Sequence, residues 1–111
     1  MHPTESDEWL DELVGTWTEM YKKSMVTLAI LREVAAAGWA SVDEVAVAFG
    51  QTTCWTITER GLYRTMRRLA SSGVLATVEV DVPRTGAKRK NFELTDFGKR
   101  YLKRLEAEVI A

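Results

Sequence analysis

Residues 58–95 read TERGLYRTMRRLASSGVLATVEVDVPRTGAKRKNFELT. Two periodicities meet in this stretch. From Thr58 to about residue 72, Leu62, Met66, Leu69 and Ala70 recur at three- and four-residue spacings, the buried stripe of an amphipathic helix, with Tyr63 at its edge. Arg60, Arg64, Arg67, Arg68 and Ser71 fall on the opposite side. Thr58 is placed to cap this helix and Gly73 to end it. From 74 to 82 the period changes to two: Ala76, Val78, Val80 and Val82 alternate with Thr77, Glu79 and Asp81, as in a half-buried strand. Pro83 and Gly86 break that strand, and 90–94 returns with Phe92 and Leu94 inward. Thr95 caps a last helix, whose stripe is Phe97, Tyr101, Leu102, Leu105 and Val109.

Upstream, 6–23 reads as a helix with Trp9, Leu10, Leu13, Val14, Trp17, Met20 and Tyr21 on one stripe. Asp7, Glu8, Asp11 and Glu12 suit the positive end of its dipole. Residues 24–37 form a strongly helical, widely apolar segment, the expected central core helix, ended by Gly38. Ser24 marks either a new cap or a break within one long helix. Residues 41–49 form a short helix opened by Ser41 and Glu44 at capping-box spacing and stopped by Gly50. A loop carrying Cys54 and Trp55 follows.

The expected order is four helices, two strands and a helix: a mainly α chain with a small β-hairpin. Two short helices followed by a hairpin describe a winged helix-turn-helix. The expected division is an N-terminal helix at 1–23, a winged-helix unit at 24–95, and a C-terminal helix at 96–111.

The whole chain has 111 residues and a net charge of −1. That near-neutrality hides an asymmetry. Residues 58–105 carry 12 basic and 5 acidic residues, and 1–57 carry 3 basic and 9 acidic ones. A polyanion partner is implied. No apolar run approaches the roughly 20 residues of a membrane span. The acidic start, MHPTESDEWLDE, does not read as a secretory or transit signal, and the lone Cys54 fits a cytoplasmic protein.

A helix that reads DNA anchors one face to a core and inserts the other into the major groove. The 58–72 segment is divided in that way. Guanidinium forks suit guanine O6/N7 and phosphate oxygens. The hydroxyls of Thr56 and Thr58 lie at the helix N-terminus, itself an anion site. The hairpin tip, PRTGAKRK, places Arg84, Lys88, Arg89 and Lys90 within eight residues, which suits phosphates or the minor groove. The DNA-binding candidates are therefore Thr58, Arg60, Tyr63, Arg64, Arg67, Arg68, Arg84, Lys88, Arg89 and Lys90. Lys99, Arg100, Lys103 and Arg104 read as a solvated helix face pairing with Glu106 or Glu108.

The runs GLYRTMRRL at 61–69, SGVL at 72–75 and GAKRKNFELTDFG at 86–98 resemble the recognition helix, wing and last-helix entry of PadR-like transcriptional regulators. The resemblance extends from Met20 to about Leu105 and is specific from Gly61 to Gly98. It implies a cytoplasmic homodimer that binds a palindromic promoter site, usually as a repressor. The recognition helix would enter the major groove, the wing would follow the flanking backbone, and the terminal helices would make the dimer. Three departures stand out: Asn91 replaces a frequent aromatic, 41–49 lacks a common Gly-Tyr pattern, and the C-terminal helix is short. Dimer contacts are accordingly expected from Trp9, Leu13, Trp17, Met20 and Tyr21 with Leu102, Leu105 and Val109.

Rival readings have less behind them. His2 is the only histidine, Cys54 has no apparent partner, and neither zinc spacing nor a phosphate-cradling glycine loop is present, so an enzyme, a metal or a cofactor is not expected. Trp9, Trp17, Trp39 and Trp55 are candidates to line a site for an aromatic small-molecule effector. The acidic N-terminal half would suit a protein-interaction module built on the same fold.

Overall fold

The computed structural model describes residues 3–53, 57–83, 86 and 88–110. The elements are α1 (Pro3–Ala37), β1 (Trp39–Ala40), α2 (Val42–Thr52), α3 (Glu59–Ser71), β2 (Leu75–Asp81), β3 (Lys88–Leu94) and α4 (Asp96–Arg104). A π-helical turn, Leu105–Val109, continues α4.

The two expected N-terminal helices are one uninterrupted helix of 35 residues. Ser24 neither caps nor breaks it. Its hydroxyl donates to the Met20 carbonyl one turn back (3.0 Å), which satisfies the side chain without interrupting the ladder. The boundary expected at 23/24 therefore falls inside a continuous helix. Only the second half of α1 enters the core, through Val26, Leu28, Ile30, Leu31 and Val34.

α2 begins as the capping box requires. The Ser41 hydroxyl accepts from the Glu44 N–H (3.2 Å), and the Glu44 carboxylate accepts from the Ser41 N–H (3.5 Å). The helix then runs through Gly50 to Thr52, beyond the stop expected there, because glycine disfavours a helix without excluding it. Val45 and Phe49 bury its inner face.

The sheet has a third strand. The two residues of β1 pair antiparallel with β3, so the order is β1-β3-β2. Phe92 lies opposite both Ala40 and Thr77, at the centre of this small sheet. The β2–β3 register pairs Leu75 with Leu94 at the base and Asp81 with Lys88 near the tip. β3 starts earlier than expected, so Lys88, Arg89 and Lys90 belong to a strand rather than to the turn.

Leu62, Met66 and Leu69 of α3 join Phe49, Ile30, Leu31 and Phe92 in one core. The stripe expected on α4 divides. Leu102 is buried in its own subunit and Leu105 is half-buried, whereas Phe97, Tyr101 and Val109 are exposed. Leu102 is thus a core residue and not an outward dimer contact. The first half of α1 projects from this body, and the molecule measures 68 × 33 × 25 Å.

Candidate nucleic-acid interface

Thr58 caps α3 in extended conformation, and its hydroxyl oxygen accepts from the Gly61 N–H (3.0 Å). The cap fixes where the helix starts, and the buried stripe fixes its rotation. Arg60, Arg64, Arg67, Arg68 and Ser71 consequently stand exposed on the outer face. At 100° per residue, Arg60, Arg64, Arg67 and Ser71 centre on the direction opposite the core, and Arg68 turns toward α1. The Arg67 guanidinium lies 5.8 Å from the centroid of the half-buried Tyr63 ring, a cation–π contact that restricts the Arg67 head.

The two flanks of α3 differ in charge. On the α2 side, the Glu59 carboxyl is raised above the usual carboxylate range, first by a hydrogen bond with Asp43 and then by that residue's negative charge. Glu59, Arg60, Tyr63 and Val42 line a shallow depression there. On the α1 side, Lys22 and Lys23 line a cleft with Thr58, Thr65 and Arg68, and Glu19 is the acidic member. The two lysines lie outside the sequence-derived candidates, since nothing local ties a helix position at 22 to a cap at 58. Their contribution extends the positive surface beyond α3.

The wing is less simply basic than its sequence. Arg89 forms an ion pair with Glu44, and its Nε donates to the Asn91 side-chain carbonyl (3.4 Å). Glu44 is at the same time the capping-box acid of α2, so this network ties β3, near the tip end of the β2–β3 ladder, to the start of α2. Asn91, the departure from the frequent aromatic, is buried and takes part in that tie. Lys90 stands opposite Glu79, and Lys88 opposite Asp81, in the β-ladder. Lys90 is exposed. Arg84 lies outside the described residues, as do Thr56, Cys54, Trp55 and the side chain of Lys88.

A second surface is apolar. Trp9, Leu13, Trp17, Met20 and Tyr21 are all exposed along the projecting half of α1, and Trp17 stacks on Tyr21 with ring centroids 5.3 Å apart. Phe97, Tyr101 and Val109 form a smaller apolar face on α4, with the Arg100 guanidinium 5.9 Å from the Phe97 ring centroid. Arg104 pairs with Glu108 one turn on (3.0 Å), and Arg32 with Glu106 (3.8 Å). Among the described residues, Trp9 and Trp17 on α1 do not converge with Trp39 on β1. About 30 Å of helix separates Trp17 from Ala37 at the end of α1, and Trp39 follows beyond Gly38. Among the described residues there is no cluster of His, Cys, Asp and Glu that could hold a metal ion, and no helix is long and apolar enough to cross a membrane.

Comparison with known proteins identifies the architecture. No family model matches the chain, and no curated protein matches it in sequence. Solved structures do. A PadR family regulator from Eggerthella lenta is similar with a TM-score of 0.67 and 25% identity, over 91% of this chain and 85% of that one. A PadR-like transcription factor from Bacteroides fragilis has a TM-score of 0.70 and 23% identity, over 83% and 86%. A PadR family regulator from Clostridium difficile has a TM-score of 0.67 and 19% identity, over 75% and 84%. The chain has a PadR-like winged-helix fold.

Proposed function

We propose that this protein is a sequence-specific, double-stranded-DNA-binding transcription regulator that acts as a homodimer, most simply as a repressor at a palindromic promoter site. The observation that carries the reading is the outer face of α3. Arg60, Arg64 and Arg67 are exposed together there, on a helix anchored by Leu62, Met66 and Leu69, beside a wing that presents Lys90. In this mechanism two copies of α3 enter successive major grooves, and Arg64 and Arg67 offer forks to guanine edges. Lys90 lies along phosphates. Lys22, Lys23 and Arg68 attract the backbone on the other flank. The Asp43–Glu59 pair repels phosphate from the α2 side and so favours one direction of approach.

The dimer is inferred from charge and exposed apolar area together. One winged helix covers a half-site, and two-fold proteins read half-sites about 34 Å apart. The projecting half of α1 carries six carboxylates and no cation. α4 carries Lys99, Arg100, Lys103 and Arg104 beside its exposed Phe97 and Tyr101. The arm of one subunit therefore complements α4 of its partner better than it complements another arm.

The test is selection from fragmented genomic DNA of the source organism. The reading expects enrichment of a two-fold-symmetric sequence with half-sites one helical turn apart. Recovery indistinguishable from the input would contradict it and favour a protein-interaction module.

A further inference from the structure

We propose that the turn from Thr95 to Gly98 is the joint that fixes the angle between the reading helix and the dimer-forming helix, and thereby sets the half-site spacing the protein accepts. The inference rests on the homodimeric DNA-binding reading above and adds its geometric control.

The recognition helix α3 ends in a Schellman motif. The Val74 N–H donates to the Leu69 carbonyl (3.0 Å) and the Gly73 N–H to the Ala70 carbonyl (3.1 Å), with Gly73 at φ +84°. The carbonyls that leave this turn are taken up by the residue that caps the next helix. The Thr95 N–H donates to the Val74 carbonyl (3.2 Å), and the Thr95 hydroxyl donates to the Gly73 carbonyl (2.6 Å). The same hydroxyl oxygen accepts from the Gly98 N–H (2.9 Å), which makes Thr95 the N-cap of α4.

Gly98 completes the lock. It is buried, and a Cβ built there would overlap the Val74 carbonyl oxygen and lie 3.2 Å from the Leu94 side chain. The end of α3 and the start of α4 therefore meet backbone to backbone. Side chains can change rotamer to absorb a small rotation; two backbones in contact cannot. In a two-fold dimer held through α4, the separation of the two α3 helices follows from this angle. A displacement of about 3.4 Å is one base-pair step, so a small change at the joint is legible as spacing.

The experiment uses the full chain and the duplex recovered by genomic selection, with the two half-sites moved apart or together one base pair at a time. A further duplex has one half-site scrambled. Thr95→Val removes the hydroxyl while keeping the shape, and Thr95→Ser restores the hydroxyl. The expectation is a sharp spacing optimum for the wild type and Thr95→Ser. Thr95→Val, still dimeric by sedimentation, should lose about tenfold at that optimum, flatten across spacings, and bind the single half-site duplex within about twofold of wild type. Equal loss on both duplexes would mark a stability effect alone and overturn the proposal, as would an unchanged spacing profile. Should Thr95→Val fail to fold, the wild-type profile decides, because a flat profile is incompatible with a rigid joint. Failure of the wild type to select any symmetric sequence would instead sink the DNA-binding reading, and this inference with it.

Discussion

In the second half of α1, Val26, Leu28, Ile30, Leu31 and Val34 are buried, whereas in the first half Trp9, Leu10, Leu13, Val14, Trp17 and Met20 stand exposed, Trp17 at 66% of its full surface. The two halves belong to one continuous helix and carry comparable apolar stripes. What differs is what lies beside them. The second half packs against α2, α4 and the sheet, and the first runs for about 24 Å, from Pro3 to Thr18, before Glu19 reaches the cleft beside α3. A contiguous exposed apolar surface marks a binding face. The contrast teaches that an apolar stripe specifies burial without specifying the partner. For the first half the partner proposed here is a second copy.

Side-chain changes in each half of α1 separate burial within the subunit from burial between subunits. Ile30→Ala, at a site with no exposed surface, should lower folding stability by about 2–5 kcal/mol, read as a large fall in the denaturation midpoint. The paired change Leu13→Asp with Trp17→Asp should leave the isolated subunit's melt nearly unmoved. It should weaken self-association by about 100-fold or more, measured by sedimentation equilibrium. If the arm changes unfolded the subunit as Ile30→Ala does, the two halves would not differ as described.

In the proposed complex, α3 and the wing differ in what they contact on DNA. Arg64→Ala should cost about 1–3 kcal/mol on the selected duplex and relax its discrimination from a scrambled one, by competition binding. Lys90→Ala should weaken all duplexes to a similar, smaller extent and reduce the slope of log affinity against log salt by about 1. Interchanged outcomes would reverse the assignment of base reading to α3 and phosphate contact to the wing.

Much of this was legible in the sequence because it is local. The α3 stripe, the Thr58 cap, the Ser41–Glu44 capping box and the alternation of β2 each lie within a few turns or one strand, and each forms as expected. β1 is not legible in the sequence because two residues cannot display a period, and their pairing with Glu93 and Phe92 spans half the chain. The continuity of α1 was open because a serine caps a helix or bonds back to it equally well in sequence. The site was harder than the fold. The Arg89–Glu44 pair, the Asp43–Glu59 contact and the approach of Lys22 and Lys23 to Arg68 join residues far apart in the chain. A run of cations predicts a positive wing, and only the folded chain shows that one of them is already engaged by a carboxylate.

Fluorescence anisotropy offers the most direct test of the central claim. The wild-type protein is titrated into the selected duplex and into a scrambled duplex at several salt concentrations. Tight binding to the selected duplex, weaker binding to the scrambled one, and affinity for both that falls steeply as salt rises are expected, as release of counterions from phosphates requires. Equal affinity for the two duplexes, or binding indifferent to salt, would contradict it.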